Sequence, residues 1–144
     1  MSGYSLQPTA HSLPVSHVVA GALFDAQGRV LIAQRPEGKH MAGGWEFPGG
    51  KLEADESRYD GLVRELREEL GVEVRAAEPL IAYEHEFPTK RVFLDLWLVT
   101  RYEGDPRPLE GQPLQWATLD ELDTVGLLKA DAPMVPALRA ARGP

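Results

Sequence analysis

The chain has 144 residues, 43% of them hydrophobic and 26% charged, which suits one soluble globular domain, and its formal net charge is −7. That charge argues against a broad surface for a nucleic acid polymer, which requires a basic patch; a small polyphosphate can still be met by carboxylates that hold divalent cations. No cysteine is present, so disulfide scaffolds, thiolate zinc sites and thiol nucleophiles are excluded.

Residues 1–14 are rich in Ser, Pro and His without periodicity and are expected to form a flexible tail ahead of a single domain over 15–144. They lack the charged start and apolar run of a leader, and no apolar stretch nears the ~20 residues of a membrane span, so a cytoplasmic protein is expected. Residues 18–24 and 30–32 are β-forming runs around Asp25-Ala26-Gln27-Gly28, which predicts a hairpin. A loop over 36–44 and a short extended piece, Trp45-Glu46-Phe47, lead to Pro48-Gly49-Gly50, read as a tight turn. Tyr59, Leu62, Val63, Leu66 and Leu70 recur at helical spacing, predicting a helix over 57–70 capped by Asp55 or Ser57 and stopped at Gly71. Strands are expected over 80–87 and 92–99, joined by Pro88-Thr89-Lys90-Arg91, and a further strand over 114–118. A helical turn over 119–122 and a terminal helix over 135–142, with Pro136 in its first turn, complete the chain.

At about 100° per residue the apolar side chains of the central helix share one face, while Glu65, Glu68 and Glu69 fall together in another sector. Like charges three and four residues apart cost a few tenths of a kcal/mol, a cost that bound cations remove. Magnesium prefers such oxygen ligands and keeps positions for phosphate oxygens and water. Read alone, the same patch is more readily a solvated face paired with Arg58, Arg64 and Arg67.

The spacing Gly50, five residues, Glu56, seven residues, Arg64-Glu65-Leu66, one residue, Glu68-Glu69, one residue, Gly71-Val72 resembles an unbroken Nudix box. The resemblance implies an α+β fold, a Nudix-type α/β/α sandwich with a mixed β-sheet. It also implies Mg2+, with Mn2+ as a substitute, held by Glu65, Glu68, Glu69 and the carbonyl of Gly49. Arg64 would orient Glu65, and Glu56 would be a structural partner rather than a ligand. Either Glu65 or a glutamate outside the box would take the proton of the attacking water. The outside candidate is Glu110, in Glu110-Gly111-Gln112-Pro113, which resembles a segment of the MutT-like branch.

The MutT-like resemblance extends through His40-Met41-Ala42, Trp45 to Lys51, Glu86-Phe87-Pro88 and Tyr102-Glu103-Gly104. It implies a nucleotide pocket formed by Arg35, His40, Glu46 and Phe47, with Lys90 and Asp131 as further substrate contacts. Asp131 stands where enzymes acting on 8-oxo-dGTP carry an Asn, and an ionised carboxylate accepts only, where an amide also donates. Asp131 could instead cap the final helix. The expected activity is cleavage of a nucleoside triphosphate to monophosphate and pyrophosphate, favouring oxidised nucleotides such as 8-oxo-dGTP. CTP or modified-pyrimidine hydrolysis and a non-catalytic ligand-sensing module are the alternatives. The partner is a small nucleotide, not a polymer or membrane, and the assembly is a monomer or homodimer.

Overall fold

A computed structural model describes residues 14–142, so the expected tail lies outside the described residues except for Pro14, whose carbonyl accepts the Arg91 N–H at 2.8 Å. Strand β1 (Val15–Ala22) pairs antiparallel with β4 (Gly49–Lys51) and parallel with β6 (Lys90–Glu103). β6 pairs antiparallel with β5 (Glu73–Phe87), so the four-stranded sheet is mixed, in the order β4-β1-β6-β5. A second, antiparallel sheet joins β3 (Trp45–Glu46), β2 (Val30–Gln34) and β7 (Leu114–Ala117) in the order β3-β2-β7.

Alternation along the strands sends neighbouring residues to opposite faces and so builds two cores. Val19 and Trp97 pack with Leu62, Leu66 and Leu70 of helix α1 (Arg58–Leu70). Ala20 and Leu96 pack with Met134, Val135 and Leu138 of helix α2 (Met134–Arg142). The result is the α/β/α sandwich. Each fully buried leucine stabilises it by about 1.5–3 kcal/mol. Among the described residues no helix is long and apolar enough to cross a membrane.

Helix α1 begins where Ser57 Oγ accepts the Asp60 N–H at 3.0 Å and ends at Gly71, whose φ of 72° suits a residue without Cβ and whose N–H reaches the Arg67 carbonyl at 3.0 Å. Its first residue is also clamped to the sheet. The Arg58 guanidinium holds the fully buried Asp95 carboxylate at 2.7 and 2.8 Å, and His17 meets the same carboxylate at 2.9 Å. Burial opposes ionisation of Asp95, but these partners outweigh it and hold the carboxyl below its usual range.

Four expectations are corrected. The turn after residue 24 forms, with Phe24 bridged to Val30, but the strands on either side enter different sheets instead of pairing as a hairpin. The Pro48-Gly49-Gly50 turn is instead the entry to a strand: Gly49 lies opposite Ala20, and a Cβ there would collide with the Val19 carbonyl. The β5–β6 connection is tighter than the four residues expected, because Phe87 already pairs with Lys90. β5 also starts earlier, at Glu73, with register shifts near Ala76 and Pro79 that an edge strand tolerates.

Candidate active site

Two clefts meet above the ends of β2, β3 and β4. The first, of about 220 Å³, is lined by Glu65 and Glu69 from α1, Glu46 from β3, Gly49 from β4, Glu110 and Gln112 from the β6–β7 loop, and Arg35 and Lys39. Glu65 and Glu69 stand one helical turn apart, and Gly50 lets Glu65 come in close: a Cβ at Gly50 would collide with the Glu65 carboxylate.

Glu69 is the most perturbed acid in this cleft. One carboxylate oxygen, Oε2, is buried without a hydrogen-bond partner. Burial, followed by the charges of Glu65, Glu110 and Glu46, pushes the Glu69 carboxyl up to about 8, and only the Gly49 N–H pulls it down. Burial also raises Glu65; Arg64 opposes the rise, and Glu68 and Glu110 add to it. Burial raises Glu46 against the nearby Arg35. A partnerless carboxylate oxygen that feels the charge of three more acids suits a hard divalent cation, since such ions take oxygen ligands. The donor set therefore fits the expected metal.

Glu68 is not part of this lining. Its side chain is 54% exposed and meets Arg64 at 3.1 Å, so the three box glutamates share a helix sector without all facing the cleft. Among the described residues, no three carboxylate or imidazole groups already converge on one point. To serve in the cleft, the Glu68 carboxylate would have to leave Arg64.

Arg64 stands next to Glu65 without lining the cleft itself. It forks onto Glu56 at 2.6 and 2.9 Å, donates to the Lys51 carbonyl at 3.1 Å and reaches Glu65 at 3.3 Å. The Arg64 hydrogen bond holds the Glu56 carboxyl down at about 2, with the Glu53 N–H assisting. Glu56 thus contacts Arg64 and the backbone, and it is not among the residues lining the cleft.

The second cleft, of about 390 Å³, shares Arg35, Lys39, Glu46 and Gly49 with the first. Its floor is apolar, with Phe47, Phe87, Leu94 and Leu128, and its rim carries His40, Lys51 and Lys90. The Lys90 ammonium lies 5.7 Å from the centre of the Phe87 ring, and His40 meets that ring edge-on at 6.4 Å. Arg35 fixes the connecting wall by donating to the His40 carbonyl at 2.7 Å and to Glu46 at 3.3 Å. Met41, in the left-handed region at φ 59°, also lines this cleft.

Asp131 is placed behind the wall. It is 6% exposed, is absent from the lining, and accepts the Phe47 N–H at 3.1 Å. Burial pushes its carboxyl up to about 7; Glu46 adds to the rise, while the Phe47 N–H and Arg35 oppose it. The carboxylate is thus used 84 residues away from its own helix turn. Sequence reasoning missed Gln112, Lys39 and Phe87 as lining residues, although Gln112 and Phe87 sit inside segments already singled out by their pattern.

Residues 19–137 match the model of the NUDIX domain, and the chain belongs to the Nudix family. Within it, the chain is 41% identical over 127 residues to the CTP pyrophosphohydrolase of Escherichia coli (strain K12), covering 86% of this chain and 94% of that protein. It is 35% identical over 122 residues to the 8-oxo-dGTP diphosphatase of the same strain, covering 85% and 95%. Of solved structures, the E. coli ORF135 protein superposes with a TM-score of 0.81 at 38% identity over 95% of this chain and 96% of that one. A structure from a study of MutT from Aliivibrio salmonicida and Vibrio cholerae gives 0.77 at 37% identity, covering 88% and 98%.

Proposed function

We propose that the protein is a magnesium-dependent, MutT-like nucleoside triphosphate pyrophosphohydrolase that favours oxidised nucleotides such as 8-oxo-dGTP. The observation that carries this reading is the continuity of an acidic cleft with an apolar, basic-rimmed one across Arg35, Lys39, Glu46 and Gly49. A triphosphate needs both: oxygen ligands for the cations on its phosphates, and an apolar surface for its base. The family membership and the diphosphatase relative support the hydrolytic assignment.

Glu65, Glu68, Glu69 and the Gly49 carbonyl would hold the magnesium, with manganese as a substitute. When bound, the ion supplies Lewis-acid stabilisation of the charge that develops on the phosphate oxygens. Arg35, Lys39 and Lys90 bind the nucleotide's anionic part, and His40, Phe47 and Phe87 enclose its base. Glu110, facing Glu65 and Glu69 across the cleft, accepts the proton as water adds across the α–β anhydride, releasing monophosphate and pyrophosphate. Arg64 keeps Glu65 in place. The working protein is a cytoplasmic monomer or homodimer acting on free nucleotides.

A second reading, hydrolysis of CTP or modified pyrimidine triphosphates, has its own support in the CTP pyrophosphohydrolase relative. Initial rates for a panel of triphosphates with magnesium separate the two. We expect kcat/KM for 8-oxo-dGTP to exceed that for CTP and 5-methyl-dCTP by at least about tenfold. The reverse order establishes the second reading, and no turnover of any member overturns both.

A further inference from the structure

We infer that Gln112 is the positioning residue for Glu110, locking the loop that carries this carboxylate to the end of the helix that carries Glu65 and Glu69. The inference rests on the reading of Glu110 as proton acceptor and extends it to a residue with no part in that chemistry.

The last carbonyls of an α-helix have no donors within the helix. At the end of α1 the β6–β7 loop supplies them: Arg107 N–H donates to the Leu70 carbonyl at 2.9 Å, and Leu109 N–H to the Glu69 carbonyl at 3.1 Å. Gln112 adds a second donor to that Glu69 carbonyl, from Nε2 at 3.2 Å. Its other amide atom, Oε1, accepts the Glu110 N–H at 3.0 Å. One side chain, 6% exposed, therefore bridges the backbone of Glu69 to the backbone of Glu110. The rest of the loop end is set separately, because the Pro113 carbonyl accepts the Gln34 N–H at 3.0 Å and Gly111 turns back on Pro108 at 3.0 Å.

The bridge has a geometric consequence. Glu110 sits where its charge is felt by both Glu65 and Glu69, yet among the described residues no hydrogen bond or ion pair holds its carboxylate there. Its backbone must then be held, and Gln112 is the side chain that holds it. A buried primary amide using both ends is suited to this, since it adds no charge to an acidic cleft.

Gln112→Met tests the idea while keeping the packing: it has similar length, removes both bonds, and leaves the Glu69 carbonyl its Leu109 donor. Four proteins are compared with magnesium and 8-oxo-dGTP: wild type, Q112M, E110Q and the double variant. Amide exchange of the metal-free proteins supplies a readout independent of activity. We expect Q112M to lower kcat about tenfold with KM within about twofold, and to speed exchange of the Glu110 amide while the α1 amides keep their protection. In the E110Q background the same change should cost less than about twofold. Full kcat in Q112M, or an equal tenfold loss in both backgrounds, overturns the inference while leaving Glu110 as acceptor. An E110Q protein with full kcat removes the acceptor reading, and the inference falls with it. If Q112M fails to fold, Q112N, which keeps the amide but shortens its reach, takes its place with the same expected outcomes.

Discussion

Phe47 and Asp131, 84 positions apart in sequence, are joined by a backbone N–H donated to a buried carboxylate at 3.1 Å. The bond ties the apolar cleft's floor to the short helical turn at Lys129–Asp131. Asp131 titrates near 7 in the fold against an ordinary 3.8, so its ionisation costs more folded than unfolded. Sign follows from linkage: the contribution to stability is full below pH 3.8 and is lost as pH rises through about 7. Asp131→Asn keeps an oxygen for Phe47 and carries no charge. We expect its melting temperature to match wild type near pH 4 and to exceed it at pH 8 by at least about 3 °C, a shift worth roughly 1 kcal/mol at this size. A constant difference between the two pH values would contradict the assignment.

Glu69 gives a second pH effect, of the same sign but reversible by metal. Its carboxyl stands near 8 against an ordinary 4.5, so the metal-free protein loses stability as pH rises through about 8. A cation competes with the proton on that carboxylate. Magnesium binding, followed by isothermal titration, should therefore tighten from pH 6.5 to 8.5 and release a proton at the lower pH. Glu69→Gln should abolish both effects and reduce kcat at least about 100-fold without lowering the metal-free melting temperature.

Neighbouring glycines should separate fold from chemistry. At Gly49 an added Cβ meets the Val19 backbone, which cannot rotate away; at Gly50 it meets the Glu65 carboxylate, which can. Gly49→Ala is expected to lower the melting temperature by several degrees. Gly50→Ala should stay within about 2 °C of wild type and lose most of its kcat, because Glu65 is turned out of the cleft. Thermal melts and steady-state rates on the two proteins check this contrast.

Arg64 holds Glu56 with its planar fork, at 2.6 and 2.9 Å, while still touching Glu65. Lysine has the charge but not the fork. Arg64→Lys should lower kcat about tenfold with KM little changed. The Glu56 carboxyl is depressed to about 2 from an ordinary 4.5, so its stabilising contribution is present above pH 4.5 and is lost as pH falls through about 2. The melting-temperature gap between wild type and Glu56→Gln should accordingly narrow on acidification.

The parts of the site that could be read from the sequence were those written at local spacing. Ser57, Gly71 and the leucines of α1 announce a helix because cap, stop and apolar period all act within a turn or two. The pairing of β1 with β6 carries no such local mark, since Val15 meets Arg91, and so two apolar runs around a turn suggested a hairpin. Glu68 shows the other limit. Helical periodicity assigns it a sector, but its rotamer is settled by Arg64, a competitor that the wheel shows as a neighbour and not as a partner. Asp131 was visible as a departure from a pattern, whereas its bond to Phe47 depends on packing between distant segments.

The stretch over 126–131 has a consequence for how the molecule fails. It is attached to Trp45 by two backbone bonds, Trp45 N–H to the Gly126 carbonyl at 3.1 Å and Leu128 N–H to the Trp45 carbonyl at 2.8 Å, to β5 by the Tyr83 hydroxyl, which donates to the Ala130 carbonyl at 2.6 Å, and to Phe47 by Asp131, whose ionisation burial opposes. Its elements are single short turns, whereas β1 and β6 run side by side for eight register pairs. With so little backbone pairing, this seam is expected to open before the sheet on warming at neutral or higher pH, and faster amide exchange at Leu128 than along β1 would show it. On the proposed function, such opening would cost the grip on the base while α1 keeps its glutamates in place.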